Sequence, residues 1–127
     1  MKLLLDTHTL IWADSDPGKL SAAAAAAIRD PANEVLISVA SVWEMVIKAQ
    51  IGKLALRLPL ADIIAEQQAN GMSILPATLP HVFAVETLPM HHRDPFDRLL
   101  VAQAMIEGAA LVTTDPLLAP YPVTLFW

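Results

Sequence analysis

Short apolar runs alternate along the chain with longer stretches of mixed character. Lys2-Leu3-Leu4-Leu5 is apolar and stops at Asp6, as a short buried strand does. Thr7 to Ala13 carries Leu10, Ile11 and Trp12 and predicts a short helix. Asp14-Ser15-Asp16-Pro17-Gly18 is turn chemistry throughout. Ser21 is a good N-cap for the alanine-rich helix that follows to Arg29, and Pro31 stops it. Glu34 to Ser38 predicts a second strand, and Ser41 to Ile51 a helix closed by Gly52. A helix over Leu60 to Asn70 begins after Pro59 and is closed by Gly71. Met72 to Leu75 predicts a third strand and Thr78 to Leu88 a helix bounded by Pro89. Pro95 suits the first position of a long helix that ends at Gly108. Ala110 to Thr113 and Val123 to Phe126 complete the series as strands.

The strands alternate with helices, and four of them are almost wholly apolar, as strands covered on both faces are. The expectation is an α/β, three-layer fold: a mostly parallel four- or five-stranded sheet with helices on both faces. At 127 residues the length fits one domain spanning residues 1–127.

Composition narrows the function. Hydrophobic residues make up 55% and charged residues 17% of the chain, a balance that excludes disorder. The absence of cysteine excludes disulfides, zinc-thiolate sites and thiol catalysis. The longest apolar run, Ala22 to Ile28, is seven residues, whereas a spanning helix needs about 20. Asp6 interrupts the leucines at the N-terminus before a signal-peptide core can form. A cytoplasmic protein without membrane contact is expected, and its apolar surplus points to a partner or to self-association. The formal charge of −5 taken alone argues against a broad nucleic-acid footprint, which is usually basic.

The placement of the acids changes that picture. In a doubly wound sheet, ligands bind at the edge where strands end and the next helices begin. Asp6 follows the first strand and Asp115 the fourth; Glu44 lies about one turn into the helix after the second strand; Asp94 and Asp97 open the long helix. All five project toward one edge from four segments. Each has a plain structural role open to it: Asp6 and Asp94 as N-caps, Ser41-x-x-Glu44 as a capping box, Asp97 on a helix dipole, Asp115-Pro116 as a turn. The convergence favours a shared site. At 4 Å and an effective dielectric near 20, two ionised carboxylates repel by about 4 kcal/mol, so the cluster calls for a cation. All-oxygen donors without cysteine point to Mg2+ or Mn2+, and such a centre supports phosphoryl chemistry.

Four stretches resemble the motifs of PIN-domain ribonucleases. Leu-Leu-Asp6-Thr-His-Thr-Leu-Ile-Trp is similar to the first and Ser38-Val-Ala-Ser-Val-Trp-Glu44-Met-Val-Ile-Lys48 to the second. His92-Arg-Asp94-Pro-Phe-Asp97-Arg-Leu-Leu-Val-Ala-Gln103-Ala is similar to the third and the most specific, and Leu111-Val-Thr-Thr-Asp115 to the fourth. The motifs run in order over nearly the whole chain, and its length is similar to the VapC-type toxins of bacterial toxin–antitoxin pairs. The resemblance implies a metal-dependent endoribonuclease using Mg2+ or Mn2+. The catalytic and metal-holding quartet is then Asp6, Glu44, Asp97 and Asp115, with Asp94 divided between capping and metal contact. Thr7, Arg93 and Arg98 are candidate substrate contacts. The implied partners are an RNA substrate, a cognate antitoxin and a second copy in a homodimer.

Other readings fit less well. His91-His92 invites a zinc site, but adjacent histidines on an extended segment face opposite ways, and the acids already supply ligands. Lys48 pairs with Glu44 at i,i+4 without need of RNA. Trp12, Trp43 and Trp127 suit core or interface packing more than base stacking, and the apolar stretch Leu56 to Ile64 is a candidate partner surface. A haloacid-type phosphatase would need a second acid where His8 stands, and a receiver domain an acidic pair there. A catalytically silent binding module of the same fold is the remaining alternative, and a missing quartet acid would have marked it. Without the quartet, the formal charge of the rest of the chain is −1, so the acidity is local and no longer opposes RNA.

Overall fold

The computed structural model describes all 127 residues. The strands are β1 (Lys2–Leu5), β2 (Glu34–Ser38), β3 (Ser73–Leu75), β4 (Ala110–Val112) and β5 (Leu125–Phe126). The helices are α1 (Thr7–Ser15), α2 (Ala22–Arg29), α3 (Val39–Gln50), α4 (Leu60–Ala69), α5 (Leu79–Glu86) and α6 (Pro95–Glu107), with 3-10 turns at Pro17–Lys19 and Pro116–Leu118. All five strands pair in parallel in the order β3-β2-β1-β4-β5.

Alternation along the strands divides the core into two layers. Leu4, Leu36 and Leu111 pack with Leu100 and Val101 of α6 and with Leu88 and Tyr121. Leu3, Leu5, Val35, Ile37 and Val112 pack on the other face with Leu10 of α1, Ala24 of α2 and Met45 of α3. α5 and α6 therefore cover one face and α1 to α4 the other. Leu3, Leu4, Leu5, Ile37 and Leu111 are fully buried, which is why these strands carry no polar alternation.

The expected elements are present, with shifted bounds. α1 continues two residues past Ala13, and α3 begins at Val39 rather than Ser41. Ser38 caps α3, its hydroxyl accepting from the Ala40 N–H at 3.0 Å. The capping box expected from Ser41 and Glu44 therefore does not form, and Glu44 lies deeper in the helix, free for another task. Gly108 takes the left-handed conformation at φ 64° that ends α6.

Along the sheet, the chain moves outward from β1 through β2 to β3, then returns to the opposite side of β1 for β4 and β5. The reversal lies between β1 and β4, and the crevice beyond their C-terminal ends is where such sheets take ligands.

Candidate metal centre

β1 ends by delivering Asp6 into that crevice. Asp6 is 7% exposed, and its Oδ1 accepts from the Thr9 N–H at 2.8 Å, capping α1. Its Oδ2 accepts no hydrogen bond. The cap and a ligand role thus use different oxygens of one carboxylate. Asp115 repeats the device after β4: one oxygen caps the short turn at the Leu117 N–H (2.9 Å), and the other faces His92. Asp94 caps α6 through Oδ1, which accepts from Phe96 N (2.8 Å) and Asp97 N (3.2 Å).

Glu44 points from α3 into the same crevice and is 6% exposed. Thr7 Oγ1 donates to Glu44 Oε1 at 2.6 Å and lies 3.2 Å from Ser41 Oγ. Lys48 meets Glu44 Oε2 at 2.9 Å. Thr7 is itself buried, so it orients Glu44 rather than presenting a hydroxyl to substrate, contrary to the expectation for it.

Asp6, Glu44, Asp94, Asp97 and Asp115 line one cavity of about 350 Å³ together with Lys48. His8 and Trp12 form part of its wall, and Trp12 packs edge-on against Trp127 at 5.9 Å. A larger cavity of about 620 Å³ opens around Met1, Gly108 and Phe126 and has no carboxylate in its lining.

Asp97 carries the strain of this crowding. Burial first, then repulsion from Asp94 and Glu44, pushes its carboxyl up to about 6, against the hydrogen bond from His92 that draws it down. A cation in the cavity would remove that penalty. The donor set fits one: His92 Nε2, an Asp97 oxygen and an Asp115 oxygen all lie within 4.8 Å of one another.

His92 enters a cluster for which only acids were expected. The two neighbouring histidines do face different ways: His91 turns away, edge-on to Tyr121 at 5.4 Å, while His92 Nε2 sits 2.9 Å from Asp97 Oδ2. Facing opposite ways prevents the two histidines from sharing an ion but leaves one of them free to join the acids. Its signal was its place two residues before Asp94.

Arg98 is a correction. It is 8% exposed and donates to the carbonyls of Pro89 (2.9 Å), Val85 (3.2 Å) and Leu88 (3.3 Å) and to Tyr121 Oη (3.1 Å). One turn separates α6 residues that share a face, so Arg98, the neighbour of Asp97, points into the body of the protein rather than to a phosphate. Arg93 is exposed. Trp43 is 62% exposed beside Phe96, with ring centroids 5.2 Å apart, so it is no core residue. Leu56, Leu60 and Ile64 pack against the core; exposed apolar side chains are grouped instead on α3 (Val39, Trp43, Val46) and α5 (Leu79, Val82, Phe83), with others on α6 (Met105, Ile106) and in loops.

The PIN domain family model matches residues 3–121. The chain belongs to the PIN-domain family. Over 130 aligned residues it is 30% identical to "Ribonuclease VapC22" of Mycobacterium tuberculosis (strain ATCC 25618 / H37Rv), covering 98% of both chains. In structure this PIN domain is similar to the VapBC2 complex of Rickettsia felis bound to a promoter DNA fragment, with TM-score 0.72 at 16% identity over 98% of this chain and 96% of that one. The DNA-bound VapBC of Salmonella typhimurium gives TM-score 0.70 at 15% identity, with the same coverage. At such identities these two likenesses speak for the fold.

Proposed function

We propose that this PIN domain is a Mg2+- or Mn2+-dependent endoribonuclease and the toxin of a toxin–antitoxin pair. The observation that carries the reading is the meeting of Asp6, Glu44, Asp97 and Asp115, from four segments, in one cavity at the point where the sheet order reverses. The ribonuclease relative supports the reaction class, and the VapBC likenesses support the pairing with an antitoxin.

Asp6, Asp97 and Asp115 are the residues that would hold the cation, with Glu44 directed at it by Thr7 and Lys48. When bound, the cation supplies acidity to a water molecule and stabilises charge on the phosphate. Caps fix Asp6 and Asp115 before any ligand arrives, since each cap ties one oxygen to backbone. Such preorganisation spares the site rearrangement on binding. Lys48 offsets part of the acidity near Glu44, and Arg93, which is exposed, is the candidate for a phosphate contact. The apolar residues exposed on α3 and α5 are the area that a second copy and an antitoxin would cover.

The test is cleavage of total RNA with end mapping, with and without Mg2+ or Mn2+, against Asp6→Asn. The wild type is expected to cut only with the cation, and the variant to lose activity by about 100-fold or more. Equal cutting by the variant refutes the reading.

A further inference from the structure

His92 stands in the loop before α6, and the fold holds it there firmly. Its N–H donates to Tyr121 Oη at 2.8 Å. Tyr121 is 3% exposed, and its hydroxyl also accepts from Arg98 Nη1 at 3.1 Å. Arg98 in turn gathers the carbonyls of Val85, Leu88 and Pro89. A buried guanidinium and a buried phenol thus shape the segment from the end of α5 to His92, and they direct the imidazole over the acids.

The resulting distances are those of a coordination sphere. His92 Nε2 lies 2.9 Å from Asp97 Oδ2 and 3.5 Å from Asp115 Oδ2. Neighbouring ligands of an octahedral ion with bonds just over 2 Å sit about 3 Å apart. A single histidine–aspartate hydrogen bond accounts for the first contact. The second contact brings in Asp115 from beyond another strand, so that three donor groups from separate segments meet at one point.

We propose that His92 Nε2 is a ligand of the bound cation beside Asp97 and Asp115, and that this nitrogen makes the site select a first-row transition ion over Mg2+. The proposal rests on the metal-dependent reading above and sharpens it. Imidazole suits the transition ions, whereas Mg2+ is served by carboxylate, carbonyl and water. Two carboxylates and one imidazole therefore favour a cation of intermediate character, and Mn2+ is the probe that reports its own ligands.

The experiment uses the full chain loaded with Mn2+ and pulsed electron paramagnetic resonance, which detects a directly bound nitrogen through its hyperfine coupling. Wild type, His92→Gln, His92→Ala and His8→Ala are compared, His8 being an imidazole on the cavity wall. Circular dichroism confirms that each variant is folded. The expected result is a nitrogen coupling in wild type and His8→Ala that is lost in both His92 variants. Calorimetry on the same samples is expected to show Mn2+ affinity falling about tenfold or more without His92, with little change for Mg2+. Mn2+ bound without nitrogen coupling, or with coupling that survives in His92→Gln, overturns the proposal and leaves the carboxylate site standing. Failure to bind Mn2+ at all overturns it together with the cation reading of the site.

Discussion

Burial first, and then the neighbouring carboxylates of Asp94 and Glu44, penalise the charge of Asp97. Its carboxyl has an ordinary value of 3.8 in the unfolded chain and about 6 in the folded one. The folded state therefore holds the proton more tightly. The stability this gives is complete below pH 3.8 and is lost as pH rises through 6; above that, the ionised carboxylate burdens the fold by on the order of 1–3 kcal/mol. Asp97→Asn removes the charge and retains the size. In the absence of divalent ions, the variant is expected to be more stable than wild type at pH 8, by on the order of 1–2 kcal/mol, and to show no advantage at pH 4. Urea titrations at both pH values decide it; an equal effect at both would mean that ionisation of Asp97 has no such cost. A divalent ion should reverse the preference, since it needs the carboxylate deprotonated.

At the scale of elements, α3 and α6 are tied together by a buried side chain that belongs to neither cap. Gln103 is fully buried. Its Oε1 accepts from Ser38 Oγ at 2.6 Å, and its Nε2 donates to the Pro76 carbonyl at 3.3 Å. Ser38 caps α3, so Gln103 links the start of the helix bearing Glu44 to the end of β3. Gln103→Leu fills the space but leaves the hydroxyl and the carbonyl without this partner. It should cost about 2–3 kcal/mol in chemical denaturation, and a loss below about 0.5 kcal/mol would show that water replaces the amide freely. A polar glutamine at a core position of α6 is visible in the sequence. That its partners include Ser38 and Pro76, 65 and 27 residues away, is not, because nothing local to a helix specifies what faces it.

For the whole molecule, most of the formal charge of −5 is concentrated in one cavity, lined by five of the thirteen acids and by Lys48. Folding assembles that repulsion, and a cation that binds only the folded state repays it. At a concentration about 100-fold above its Kd, an ion adds about 2.7 kcal/mol, which for a domain of this size raises the Tm by on the order of 5–10 °C. Mn2+ is expected to give this rise in wild type and little of it in Asp6→Asn. A shift of equal size in both would place the ion elsewhere. No helix is long and apolar enough to cross a membrane, and half of the exposed large apolar side chains lie on α3 and α5.

The sequence by itself determined the elements, their order and the parallel sheet, because apolar runs, caps, prolines and glycines act locally and mark each boundary within a few residues. It also pointed to the acids that share an edge, since residues just beyond a parallel strand, or in the first turns of a following helix, lie at the end where strands finish. Only the tertiary structure decided the use of each side chain. Thr7 turned from substrate to Glu44, Arg98 turned inward to carbonyls, and Glu44 was released from a cap once Ser38 capped α3. His92 joined Asp97 and Asp115 because Tyr121 and Arg98, distant in sequence, fix its backbone. Local patterns choose conformation; which partner a polar group finds depends on what the packed elements bring within 3 Å, and that is settled only when the chain closes on itself.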